Sequence, residues 1–110
     1  MKLRTLLYCA LFLAPTAVGE GINPPAAGFV PDEKTAVKIA VAVLIPVYGE
    51  KKIESELPFN AELKDGIWTV GGTLRCPDGQ GGTTTDCVGG TATVKIAKSD
   101  ARILFMIHYK

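Results

Sequence analysis

Three cysteines and one histidine in 110 residues are too few for a Cys/His zinc cage. Charge is nearly balanced, with 12 Lys+Arg against 11 Asp+Glu, and no basic run concentrates it. The broad electrostatic footprint that nucleic acid or an anionic membrane surface requires is therefore missing. No apolar run approaches the roughly 20 residues that span a bilayer. Aromatic residues are scarce, but Val, Ile, Leu and Ala are abundant enough to exclude a disordered chain. The length suits one small globular domain and leaves no room for a second.

What is present begins with a leader. Lys2 and Arg4 precede an apolar stretch from Leu6 to Ala14, and Ala17-Val18-Gly19 is a small-x-small cleavage site. The pattern is that of a secretory signal peptide over 1–19. Cys9 does not make it a lipoprotein signal, because bulky Tyr8 precedes the cysteine and too little apolar sequence precedes both. Cleavage after Gly19 leaves Glu20 to Lys110, with 10 basic and 11 acidic residues, a formal charge of −1. Cys9 leaves with the leader. The remaining pair, Cys76 and Cys87, is expected to form a disulfide in an exported domain, and the protein is expected in the periplasm.

Residues 20–28 carry Gly, Asn and two prolines without apolar periodicity and read as a flexible tether, so the folded unit is expected over 29–110. Pro31-Asp32-Glu33 is a helix start with acidic charge where the helix dipole favours it. Thr35 to Ile45 is then almost continuously apolar, interrupted by Lys38, which predicts a helix buried on more than one side. Pro46 is expected to end or kink it. Glu50 to Glu56 reads as a solvated helical turn or loop. From Pro58 the period becomes two, and Asp65-Gly66 joins that strand to Ile67-Val70 in a tight hairpin. Gly71-Gly72 is expected to form a bulge or bend. A third strand spans Thr91–Ala97, Ser99-Asp100 turns the chain, and Arg102–Tyr109, apolar on both faces, is expected to be a central strand. The fold class is α+β: one principal N-terminal helix packed into a curved antiparallel sheet of about four strands.

Chemistry is sparse. His108 has no thiol partner, and Asp32, Glu33, Glu54, Glu56 and Asp65 occupy helix starts, charged loops or turns with ordinary structural roles. Trp68, Tyr48 and Tyr109 read as core. No catalytic residue, metal ligand or cofactor is assigned. The informative segment is Pro77–Asp86, polar and glycine-rich, bounded by Cys76 and Cys87. A loop tied at its base loses less entropy on contact, as a recognition loop requires, although a passive hairpin excursion fits equally well. Its glycines lack the Lys-Ser/Thr of a phosphate loop, and Asp78 and Asp86 lack EF-hand spacing.

The stretch from Val30 to Leu74, with Ile45-Pro46-Val47-Tyr48-Gly49-Glu50-Lys51 and Leu63-Lys64-Asp65-Gly66-Ile67-Trp68, followed by Gly89-Gly90 and Ser99-Asp100, resembles the bacterial YbbC/YhhH family of immunity proteins. That resemblance implies a cone-like, nuclear-transport-factor-two-like fold. It also implies a non-catalytic protein that neutralises a cognate toxin of a polymorphic or contact-dependent secretion system by stoichiometric binding. With the leader, the expected toxin is a cell-envelope effector attacking peptidoglycan or membrane lipid. The candidate toxin contacts are Arg75, Asp78, Gln80, Thr83, Thr84, Thr85 and Asp86, with Arg75 placed to anchor an acidic site and Glu50–Glu56 an alternative surface for a basic partner. No nucleic acid and, after cleavage, no membrane partner is expected, while the apolar last strand is compatible with a homodimer. Two other readings stay open: a small-ligand-binding or isomerase-like cone, and a cystatin-like hydrolase inhibitor, for which Thr69-Val70-Gly71-Gly72 is a faint inhibitory hairpin.

Overall fold

The computed structural model describes residues 19–110; the leader up to Val18, with Cys9, lies outside the described residues. Asp32 starts the first helix by accepting the Thr35 N–H at 2.8 Å on Oδ1, which satisfies an amide that the first turn would leave unpaired. Helix α1 then runs Glu33–Tyr48. Its Ala36, Ala40 and Leu44 repeat every fourth residue and are fully buried, the stripe that faces the sheet. Pro46 does not end the helix. It lies in the last turn, where its missing N–H costs one bond near the free end, and the chain turns only at Gly49, whose N–H reaches the Ile45 carbonyl at 2.8 Å. A short α2, Glu50–Glu54, follows. It is not a purely solvated turn, since Ile53 and, just beyond it, Glu56 are buried.

Strands β1 (Asn60–Lys64), β2 (Ile67–Gly71), β5 (Ala92–Ala97) and β6 (Ile103–His108) form one antiparallel sheet in the order β1-β2-β5-β6. The β1–β2 hairpin closes through Asp65 and Gly66, both at positive φ, as a two-residue turn between twisted strands requires. Trp68 and Val70 of β2 and Ala92, Val94 and Ile96 of β5 are buried beneath α1, and their neighbours Thr69 and Lys95 point to the other face. Trp68 Nε1–H donates to the Val30 carbonyl at 2.8 Å, and the Phe29 and Val30 amides donate to the Ser99 and Lys98 carbonyls. The chain entering α1 is thereby fixed to the β5–β6 turn. The arrangement is the expected α+β one: a single N-terminal helix on a four-stranded antiparallel sheet.

Two further local expectations are corrected. Gly71 stays in register with Asn60 and Thr93, and the sheet's one recorded irregularity lies at Lys95/Ile96, opposite the start of β6. What Gly72 provides is proximity, because a Cβ there would lie 2.9 Å from Glu56 Cβ and 3.1 Å from the Glu56 carbonyl oxygen. The last strand is an edge strand, not a central one. Helix α1 packs over β1, β2 and β5, so Ile103, Leu104 and Phe105 remain exposed. The two edges differ chemically. On β1 the Ala61 N–H is taken by Glu33 Oε2 at 3.1 Å and charged Glu62 and Lys64 flank it, whereas β6 carries no charged residue before His108.

Candidate functional site

Between β2 and β5 the chain leaves the sheet. Cys76 and Cys87 are joined by a disulfide, as expected from the sequence. Inside it, β3 (Cys76–Pro77) pairs antiparallel with β4 (Thr83–Thr84), Cys76 opposite Thr84 and Pro77 opposite Thr83. Asp78 organises the tip: its Oδ1 accepts the Gln80 N–H at 2.7 Å and the Gly82 N–H at 3.0 Å, while its own N–H donates to the Gly82 carbonyl. Gly79 and Gly81 take positive φ to complete the turn. The amides of Gln80 and Gly82 hold the Asp78 carboxyl below the usual carboxylate range, because both bonds favour its ionised form. Farther along, Thr84 Oγ1 accepts the Asp86 N–H at 3.0 Å.

Of the sequence-derived candidates, Arg75, Asp78, Gln80, Thr83, Thr85 and Asp86 are exposed, and Thr84 is half-buried. The structure brings Asp78, Gln80, Thr83 and Thr84 onto one small disulfide-closed hairpin. Arg75 sits at its base, not on its tip. Val88, immediately after the second cysteine, is fully exposed, an apolar position that the sequence reading passed over. Asp78 commits its Oδ1 to two of the loop's own backbone amides, which makes it an organiser of the loop as well as an exposed candidate contact.

A second feature at the same end of the sheet was not read from the sequence. Glu56, buried, accepts the Ala92 N–H on Oε1 at 2.7 Å, and its Oε2 lies 2.7 Å from His108 Nε2. The Tyr48 ring packs at a tilt against His108, centroids 5.4 Å apart. Beside this pair opens a groove of about 210 Å³ lined by Lys52, Ser55, Glu56, Thr73, Arg75 and Gly90, among others. The sequence offered no inward parity for His108, because the last strand is apolar on both faces. Its partner was not visible either, because Glu56 stands in a charged run that resembles ordinary surface. Among the described residues no cluster of three His, Cys, Asp or Glu is placed to hold a metal ion, and no helix is long and apolar enough to cross a membrane.

The family model of the NTF2 fold immunity proteins, Imm-NTF2-2, matches residues 35–110, from the first turn of α1 to the end of the chain. It carries the immunity-protein and fold parts of the resemblance and does not extend to the narrower YbbC/YhhH assignment. No curated protein and no solved structure matches the chain.

Proposed function

This chain belongs to the NTF2 fold immunity protein family, and from that premise we propose that it is a periplasmic immunity protein that neutralises a cognate secreted antibacterial toxin by stoichiometric binding. Family membership supports toxin neutralisation and a non-catalytic role. The observation that carries the finer reading is the Cys76–Cys87 hairpin: ten residues outside the main sheet, exposed apart from Thr84, internally hydrogen-bonded and closed by a disulfide. Such a loop is already ordered before it meets a partner, so less of the contact energy is lost in fixing it. Its residues Gln80, Thr83, Thr85 and Asp86 offer polar contacts to a toxin's cleft, and Val88 offers an apolar one. A disulfide persists in an oxidising compartment. Together with the basic-apolar-small pattern of residues 1–19, this favours export and an effector that acts on the cell envelope.

The test is survival and co-purification. The product of the adjacent gene, tested as the cognate toxin, is directed to the periplasm in cells producing the exported chain, a leaderless chain or neither. Rescue by the exported chain alone, with a one-to-one complex, is the expected result. Rescue by the leaderless chain alone would relocate the protein to the cytoplasm, and the absence of both rescue and complex would overturn the immunity reading.

A further inference from the structure

The groove at the base of the hairpin has a charge pattern that its structural neighbours leave unused. Lys52 and Arg75, both exposed, stand on its rim. Among the described residues neither has a carboxylate within salt-bridge distance; the contacts that reach it are Arg102–Asp100 and His108–Glu56. Glu56 lines the floor, but its oxygens are occupied, one by the Ala92 amide and the other by His108. The hydroxyls beside them are also committed as donors: Ser55 Oγ–H donates to the Lys52 carbonyl at 2.6 Å and Thr73 Oγ1–H to the Pro58 carbonyl at 2.7 Å. The side-chain donors left to an incoming group are therefore the ammonium and the guanidinium.

We infer that this groove takes one carboxylate, from an Asp or Glu side chain of the toxin, with Arg75 as the fork and Lys52 as the second cation; the identity of the occupant rests on the immunity reading above. Three features select that chemistry. Two cations free of partners, beside a carboxylate whose oxygens both already accept hydrogen bonds, leave the rim electropositive and suited to an anionic side chain, which in a protein partner is Asp or Glu. A guanidinium presents paired N–H groups that fit the two oxygens of a carboxylate. Finally, Arg75 directly precedes Cys76, so a side chain seated here belongs to a partner that also meets the disulfide hairpin.

Two probes test this on the folded chain. Acetyl-Gly-Glu-Gly-amide, its Gln counterpart and inorganic phosphate are titrated while the backbone amide signals of Lys52, Thr73, Arg75 and Gly90 are followed by NMR. The Glu peptide is expected to shift them progressively, approaching saturation only at about tens to hundreds of millimolar, because exposed ion pairs are individually weak. The Gln peptide and phosphate should be clearly weaker, and the K52Q/R75Q variant should not respond. Equal shifts with phosphate, or none with the Glu peptide, would overturn the assignment. The second probe is the toxin identified by the survival test above: K52E/R75E should weaken its complex about tenfold or more, while K64E on β1 should not. A complex unaffected by K52E/R75E would remove the groove from the toxin interface. Peptide binding without any wild-type toxin complex would instead overturn the immunity reading and leave the groove's carboxylate chemistry standing.

Discussion

His108 Nε2 lies 2.7 Å from Glu56 Oε2, although 52 residues separate them. The same carboxylate holds the Ala92 amide through its other oxygen, so one buried side chain joins the turn after α2, the start of β5 and the end of β6. Gly72 makes room for it, and Tyr48 at the end of α1 packs against the histidine. The edge strand, which receives little cover from the helix, is fastened at its far end by this junction.

Removing that carboxylate should be expensive. Glu56→Ala leaves the Ala92 N–H without its partner and His108 without its acceptor, and is expected to destabilise the fold by roughly 3 kcal/mol, the scale for breaking a buried pair from one side. Glu56→Gln should cost less, because its amide oxygen can still accept from Ala92. Urea unfolding followed by Trp68 fluorescence measures both. Equal stability of Glu56→Ala and the wild type would mean that the junction is not structural.

Two glycines in this region are expected to resist even a methyl group. At Gly90 a Cβ would stand 2.5 Å from the Tyr109 carbonyl carbon, and at Gly72 it would meet Glu56. Backbone lies in the way at Gly90, so Gly90→Ala must push the end of β6 outward. It is expected to lose about 1–3 kcal/mol, as overpacked sites do, with amide shifts at His108 and Tyr109 marking the displacement. Gly79→Ala, at the open hairpin tip, has no neighbour within 4 Å and meets only the backbone strain of its positive φ. A stability loss at Gly79 larger than at Gly90 would reverse this ordering.

Trp68 and Val30 provide a third check on the packing. The indole N–H donates to the Val30 carbonyl at 2.8 Å within the core. Trp68→Phe strands that carbonyl and removes ring volume, for an expected loss of about 2–3 kcal/mol in thermal or chemical unfolding. A loss below about 0.5 kcal/mol would show that water or backbone adjustment satisfies Val30 instead.

The elements legible in the sequence are those set by local rules. Asp32 as a cap, the period-two run broken by Asp65-Gly66, and Ser99-Asp100 before β6 each specify structure within a few residues, and each appears where expected. The errors are those that topology decides. Ile103 to Ile107 carries the apolar residues of a strand buried on both faces, but among the described residues β6 pairs with β5 alone and lies beyond the cover of α1, so the same composition ends up on an edge. Pro46 reads as an end or a kink, and α1 runs two residues past it to Tyr48, because in a final turn proline interrupts only one bond. The hairpin between Cys76 and Cys87 was legible as a tied loop. The Lys52–Arg75 groove and the Glu56–His108 junction were not, because they bring together residues from α2, the turn after it, the strand ends and the base of the loop.

The disulfide should matter more for binding than for folding. Closing an 11-residue separation is worth on the order of 2–3 kcal/mol if only the unfolded chain gains freedom when the bridge is cut. Here β3 and β4 pair only with each other, outside the main sheet, so the reduced native loop gains freedom too and the two gains largely offset. Cys76→Ser/Cys87→Ser is therefore expected to lower stability by about 1 kcal/mol or less. Hydrogen exchange in β2 and β5 should be unchanged, while the toxin complex weakens. A loss of the full entropic amount, with faster exchange in β5, would show that the bridge braces the sheet.

Acid should open the tip of that loop before it affects the core. The Asp78 carboxyl is held below its ordinary value first by the Gln80 amide and then by that of Gly82. A depressed folded value means that the local structure is fully supported above the unfolded carboxylate value and is lost as pH falls through the lower folded one. Amide exchange at Gln80 and Gly82, corrected for its intrinsic pH dependence, should therefore accelerate as the solution is acidified below about pH 4. Asp78→Asn should show the fast exchange already at neutral pH, because an amide oxygen accepts these bonds more weakly than a carboxylate. If the tip instead stayed protected in acid and in Asp78→Asn, its order would come from the disulfide and the β3–β4 pairing alone. Asp78 would then be an ordinary exposed acid, free to contact a partner.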